Sequence, residues 1–309
     1  MKKYFYNSVV FLVAATAVFS ILGYFGSTNW ILDLFSHFKW QYLIILTIGT
    51  LIILMMRKKI ALIFIPFVVV LIIEIAPLYF GGNKKEDLSE STKIVCINLL
   101  SSNHEFKEVE RFIIENSPDL IVLEEFTSRW QLMLEPKLKA YKYRLSLPRK
   151  DNFGMAVYSK IRLTDLQELK LGNAGVPSIS CNFWIGNSRV RLIATHPLPP
   201  VNTDYFKHRN AQLSEIATLA SELDSEVVLI GDLNTSSFST HFKSLVEESG
   251  LIDSRKGFGV LTSWPTWFGL ARTTLDHCLI SKGLLVKSRA IGEDIGSDHL
   301  PILIELGVK

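Results

Sequence analysis

Hydrophobic and polar positions divide the chain near residue 82. No charge interrupts the stretch from Tyr4 to Leu32, none interrupts Trp40 to Met56, and the run from Ile60 to Phe80 holds only Glu74. A bilayer core needs about 20 apolar residues per helix, so the pattern predicts three transmembrane helices near residues 5–25, 38–56 and 60–80. A cleaved secretory signal is the other reading of the first run. Against it, the run exceeds the usual apolar core of about 7–15 residues, no small-x-small site follows, and two more spans come after it. The polar run GGNKKEDLSES then breaks the pattern. It reads as a linker at 83–92, between a membrane domain over 1–82 and a second domain over 93–309.

Past the linker, short β-branched runs alternate with amphipathic stretches. Strands are predicted at 93–98, 120–124, 154–159, 178–184, 190–195, 226–230, 274–280 and 302–306. Helices are predicted at 105–116, where Phe106, Val109, Phe112 and Ile113 fall at helical spacing, and at 130–138, 205–223 and 241–248. Many short strands with interspersed helices describe an α/β or α+β domain. There is no internal repeat and no low-complexity tract.

Composition agrees with a split chain. Of the 309 residues 48% are hydrophobic and the mean hydropathy is +0.26, too apolar for an ordinary soluble enzyme. Residues 1–83 carry six basic and two acidic side chains. Subtracting these from the 33 basic and 30 acidic residues of the chain leaves 27 and 28 for residues 84–309, a net −1. That excludes disorder, collagen and a strongly basic nucleic-acid domain as global descriptions. Short loops rich in Lys and Arg stay in the cytoplasm, and here they hold Lys2 and Lys3, then Arg57, Lys58 and Lys59. The N-terminus is therefore expected inside and the segment 26–37 outside, with the second domain on the outer (periplasmic or extracellular) face. Lys84 and Lys85 oppose this, but Glu86 and Asp87 follow them. Glu74 is expected to reach the interface rather than to join helices. Cys96, Cys181 and Cys278 are widely spaced in apolar runs and read as buried free thiols rather than a metal site or a disulfide framework.

Polar chemistry is concentrated at the ends of predicted strands. KIVCINLL ends one at Asn98, PDLIVLEEF at Glu124 and Glu125, and LIATHPLPP at His196; VVLIGDLN follows with Asp232 and Asn234, TTLDHCLIS with Asp276 and His277, and GSDHLPI with Asp298 and His299. Such ends are where α/β folds place their sites. The ordered series, with GDLN and SDHLP following an L-x-E strand, resembles the endonuclease/exonuclease/phosphatase superfamily over residues 93–306. These metal-dependent phosphoesterases include DNase I-like nucleases, AP endonucleases, inositol-polyphosphate 5-phosphatases and bacterial sphingomyelinases. The resemblance implies a four-layer sandwich, two central β-sheets flanked by helices.

It also implies roles. Phosphoester hydrolysis needs phosphate charge neutralised, a water oriented in line and the leaving oxygen stabilised. Mg²⁺, with Mn²⁺ as the alternative, prefers carboxylate and amide oxygens. By resemblance Glu125 is the principal metal ligand, with Asn98 beside it and Asp298 at the metal edge. Asp232 and Asn234 orient the attacking water and hold the phosphate. His299 is the catalytic histidine, oriented by Asp276, and His196 serves the leaving oxygen. Arg209, at a helix position where relatives often have Arg, implies substrate contact, a structural face being the other reading. Gln212 shares that ambiguity. Glu124 stands where many relatives have Gln, as an acid behind the site or an accident of sequence. His277 reads as a packed neighbour; Asn152, at the NFGMAVYSK segment that resembles the family's G-x-A-x-x-S strand, reads as a turn residue, phosphate contact being the alternative; Trp264 and Trp267 line a groove or pack a loop.

One departure matters. AP-endonuclease relatives usually carry an acid two residues after the first Asn, where this chain has Leu100, which favours one metal over two. The expected protein is a membrane-anchored phosphodiester hydrolase, in one form an endonuclease, with a phosphoester substrate, a lipid bilayer around its anchor and no protein partner implied. A phospholipid-headgroup or inositol-phosphate phosphoesterase is the alternative, and a silent membrane-tethered binding domain is the reading from another class.

Overall fold

The computed structural model describes residues 2–84, 88 and 90–309; Met1 and, within the predicted linker, residues 85–87 and 89 lie outside the described residues. Helices α1 (Lys2–Leu22), α2 (Trp30–Leu34), α3 (Lys39–Met55) and α4 (Ile65–Ile75) come first. With their flanking 3₁₀ turns they form three stretches long and apolar enough to cross a membrane, Lys3–Phe25, Trp30–Met55 and Lys59–Leu78. The buried side chains of Val13, Ala17, Leu46 and Ile53 join α1 to α3. A Cβ at Gly49 would stand 2.2 Å from Cγ2 of Val13, so glycine permits the close approach on which helices in lipid rely.

Two charges in this module depart from expectation. The second stretch begins before residue 38 because Asp33 is buried with a partner, Arg209 of the second domain. Glu74 does not simply reach the interface: it bonds Lys39 Nζ at 2.9 Å and Lys243 Nζ at 3.0 Å, joining α4 to α3 and to the second domain.

The second domain holds strands β1 (Thr92–Asn98), β2 (Leu120–Glu124), β3 (Tyr143–Leu147), β4 (Met155–Ser159), β5 (Thr164–Lys170), β6 (Pro177–Ile185), β7 (Ser188–Thr195), β8 (Glu226–Asp232), β9 (Ile252–Asp253), β10 (Asp276–Ile280), β11 (Leu284–Ile291) and β12 (Ile302–Val308). They form two six-stranded sheets ordered β11-β12-β1-β2-β4-β3 and β5-β6-β7-β8-β10-β9. The inner faces meet in a core that includes Ile94, Val122, Val157, Ile179, Leu192 and Ile230, with Cys96, Cys181 and Cys278 as buried free thiols.

Outside the first sheet lie α5 (Phe106–Asn116) and α6 (Ser128–Leu134), packed through Val109, Phe112 and Trp130. Outside the second lie α7 (Thr203–Ser221) and α8 (Thr240–Ser249), packed through Leu213, Ile216 and Phe242. The result is the four-layer sandwich expected from the motifs. Every predicted strand is present, and β3, β5, β9 and β11 are additional.

Register sets up the site. Asn98 pairs with Glu124 across parallel β1 and β2, and Asp232 pairs with Asp276 across antiparallel β8 and β10. Four polar strand ends are thereby fixed before any loop is considered.

Candidate active site

Gly231, in the strand end that delivers Asp232, has φ +149°, and a Cβ there would lie 2.0 Å from the Thr195 carbonyl oxygen. Only glycine lets β8 run that close to β7. Beyond it the chain turns. The Asn234 N–H donates to Asp232 Oδ1 at 2.8 Å, and Asn234 sits at φ +49°, a left-handed conformation that asparagine tolerates. Glu125, at φ +53° just past β2, is also left-handed, a costlier state for glutamate of the kind that collects at functional sites.

The side chains these turns carry converge on a cavity of about 360 Å³, whose wall includes Glu125, His196, Asp232, Asn234, Asp298 and His299. Asp276 lies behind it and its Oδ2 accepts from His299 Nδ1 at 2.8 Å, so the Nε2 of His299 faces Asp232 Oδ2 at 3.6 Å. From the other side, His196 Nε2 stands 3.5 Å from the same oxygen. The backbone N–H of Ser101 donates to Glu125 Oε2 at 2.8 Å, and Trp264 Nε1 donates to Asp298 Oδ2 at 3.1 Å. The loop that carries His299 is pinned by Ser297, whose hydroxyl donates to the Asn98 carbonyl at 2.7 Å and accepts from the His299 N–H at 3.1 Å.

Electrostatics follow from this packing. Burial alone would lower the His299 imidazole, but Asp276 and Asp232 outweigh it and carry it up to about 10. For His196 the same opposition, won by Asp232 with Glu124 and Glu125, ends at about 9. Burial would raise Asp232, yet His299, His196 and the Asn234 N–H hold it well below the usual carboxylate range. Glu124 is fully buried with both carboxylate oxygens on the Asp232 N–H. Burial first, then Asp232 and Asp276, push its carboxyl up against the pull of His196. It is an acid behind the site, keyed to the backbone of Asp232.

Besides Asp276, two expected residues sit off the cavity. Asn98 is buried behind Asp232, its Nδ2 3.4 Å from Asp232 Oδ2 and its Oδ1 accepting from Leu100 N–H at 3.0 Å. Arg209 does not reach the cavity either. It is fully buried, donating to Asp33 Oδ2 at 2.7 Å, to the Asn234 carbonyl at 2.9 Å and to Asn210 Oδ1, so in this arrangement it braces the catalytic loop rather than meeting substrate. Gln212 is likewise internal, bonding Thr195 Oγ1 at 2.9 Å. His277 packs against Phe242, with its Nε2 2.8 Å from the Thr235 carbonyl. Trp264 lines the cavity, whereas Trp267 is exposed.

Other lining residues were given no catalytic role from the sequence. Asn152 and Phe153 come from the NFG turn, Pro199, Pro200 and Val201 from the loop after β7, and Trp30, Leu34 and His37 from the apolar helical module. His37 is the only histidine before residue 84, and that isolation is the one signal that marked it.

A divalent cation suits this donor set in part. Asp298 Oδ1 is buried without a hydrogen-bond partner among the described residues, an acceptor that a hard cation would satisfy. No group of three or more His, Cys, Asp or Glu side chains in metal-holding geometry occurs among the described residues.

The fold is similar to those of several solved structures. The human Nocturnin catalytic domain with bound sulfate is 17% identical, with 71% of this chain and 95% of that one covered and a TM-score of 0.59. D. rerio TDP2 complexed with single strand DNA product is 15% identical, with 71% and 99% covered and a TM-score of 0.59. An endonuclease/exonuclease/phosphatase family protein from Leptotrichia buccalis C-1013-b is 17% identical, with 70% and 99% covered and a TM-score of 0.56. No curated protein matches the chain by sequence. The model of the Endonuclease/Exonuclease/phosphatase family matches residues 96–299, which span all the strand-end motifs, and this chain belongs to that family of phosphoesterase hydrolases.

Proposed function

We propose that the protein is a membrane-anchored, Mg²⁺-dependent phosphodiesterase whose catalytic domain lies on the outer face of the membrane. The observation that supports this most is the convergence on one cavity of Glu125, Asp298 with its unpartnered oxygen, and Asp232 flanked by two histidines. Glu125 and Asp298 would hold the ion, which when bound neutralises phosphate oxygens. Asn98 keeps the Asp232 carboxylate in place from behind. Asp232 orients the attacking water and accepts its proton. Asn234 spends one amide N–H on the Pro197 carbonyl at 2.9 Å, leaving a second N–H and an oxygen for the phosphate. His299, its Nδ1 proton held by Asp276, presents Nε2 to the phosphate, and His196 donates to the leaving oxygen.

The test uses the full-length protein in detergent with bis-p-nitrophenyl phosphate. Hydrolysis is expected to require Mg²⁺, and Glu125→Gln is expected to raise the Mg²⁺ concentration needed, with activity partly recovered at high Mg²⁺. An unchanged Mg²⁺ requirement removes Glu125 from this role. Orientation has its own check: alkaline phosphatase fused after Lys309 should be active, and an inactive fusion beside a bright cytoplasmic fluorescent fusion places the domain inside.

Nucleic acid is the second reading, favoured by the fold similarity to D. rerio TDP2 with its single strand DNA product. The net −1 of residues 84–309 offers no cation surplus for phosphate backbones.

A further inference from the structure

The catalytic cavity is not built by the sandwich alone. Trp30 and Leu34 of α2 form part of its wall, and His37 adds a buried Nε2 with no hydrogen-bond partner among the described residues. Val201, 59% exposed, lines the same cavity. A small phosphoester without an apolar group gains little from such a wall. An amphiphile gains burial of its chain.

A second observation concerns the surface next to this wall. Residues 267–270 expose Trp267, Phe268 and Leu270, the last at 82%. That segment is tied to the start of α3, because Gln41 Nε2 donates to the Arg272 carbonyl at 2.7 Å and Thr273 Oγ1 to the His37 carbonyl at 2.7 Å. It is tied equally to the site, because Thr266 N–H donates to the Asp298 carbonyl at 3.0 Å. Tyr24, Phe25, Tyr79 and Phe80, at the same ends of the first and third stretches, are exposed as well, and aromatic side chains in that position mark a membrane–water interface. Hydrogen bonds thus tie the exposed apolar loop both to the cavity and to the start of α3.

We propose that the substrate is a phosphoester carried by a membrane amphiphile, its phosphate at Asp232, Asn234 and His299 and its apolar chain along Trp30, Leu34 and Val201. Residues 267–270 dip into the interface and bring the cavity mouth to the leaflet. The inference rests on the phosphodiesterase reading and narrows its substrate.

The experiment compares three probes sharing one leaving group, methyl, dodecyl and thymidine p-nitrophenyl phosphodiesters, with the full chain in phosphatidylcholine nanodiscs and Mg²⁺. The dodecyl ester should show kcat/KM at least about tenfold above the methyl ester, given what each buried CH₂ is worth. Trp30→Ala should erase most of that preference. Leu270→Glu should lower the dodecyl rate by a larger factor than the methyl rate. Equal kcat/KM for methyl and dodecyl esters overturns the proposal, as does a preference that persists in Trp30→Ala, which mere partitioning into the disc would give. Preference for the thymidine ester overturns it in favour of nucleic acid. If none of the three is hydrolysed, the phosphodiesterase reading itself fails.

Discussion

Two clusters of buried charge lie close together in this protein and are finished differently. In the seam between the helical module and the sandwich, Arg209 and Asp33 are both fully buried, and their bonds are complete: Asp33 takes Arg209 on one oxygen and the Ser239 hydroxyl on the other, while every guanidinium nitrogen of Arg209 has an acceptor. In the cavity, Asp298 Oδ1 and His196 Nδ1 are buried with no partner among the described residues, and three carboxylates crowd two histidines. Burying a charge costs several kcal/mol unless it is paired and hydrogen-bonded. A satisfied cluster can therefore be structure, whereas a buried polar atom without a partner calls for an explanation, and in a cavity a bound ion or water supplies one. The Arg209 contact to the Asn234 carbonyl links the two.

The largest expected effect breaks the cavity side. His299→Ala should lose about 10²–10⁴ in turnover while its thermal midpoint in detergent stays near that of the parent. Asp276→Asn should lose less, since the imidazole remains, and the double variant should be little worse than His299→Ala, because residues acting as a unit give non-additive losses. Multiplicative losses would mean that the 2.8 Å bond between them does no catalytic work.

The seam should respond the other way. Asp33→Ala leaves the Arg209 guanidinium buried and unpaired, a change that costs about 3–5 kcal/mol and should appear as a lowered thermal midpoint. Removing both charges with Asp33→Leu and Arg209→Met should restore most of that stability. Turnover in the double variant should still fall, because the Asn234 carbonyl has lost its donor. Full stability with full activity would show that the seam and the site are independent.

The smallest effect at any one pH step concerns His277, which belongs to neither cluster. Burial, then Arg255, holds its imidazole down to about 3, against about 6.5 in the unfolded chain. Between those values the unfolded state binds a proton that the folded state refuses, so stability falls as pH drops through that window. One such group gives at most about 1.4 kcal/mol per pH unit. His277→Gln, whose amide still donates to Thr235, should flatten the slope of stability against pH between about 6.5 and 3; an unchanged slope assigns the acid sensitivity elsewhere.

Legibility in the sequence followed chain separation. Eight strands and the six strand-end motifs were readable because buried strands are continuous apolar runs and their polar ends stand out against them. The four unread strands, β3, β5, β9 and β11, are the four outer edges of the two sheets. Edge strands are half in solvent and carry charges that keep them from pairing further, so TDLQELK over β5 offers no apolar run to recognise. Glu125, His196, Asp232 and His299 could be named from their motifs, but their meeting depends on strand register and on the turns that place Glu125 and Asn234 in left-handed conformations.

Local pattern thus determined the apolar helices, the strand cores and the identity of the chemistry, because periodicity and motif are properties of neighbours along the chain. Tertiary structure alone decided that Arg209 pairs with a residue 176 positions away rather than facing substrate, that Glu74 joins two lysines, and that Trp30, Leu34 and His37 line the cavity. Each of these is a choice of partner for a buried group. The sequence states only that such a group exists; which neighbour satisfies it is settled by the packing of one domain on the other.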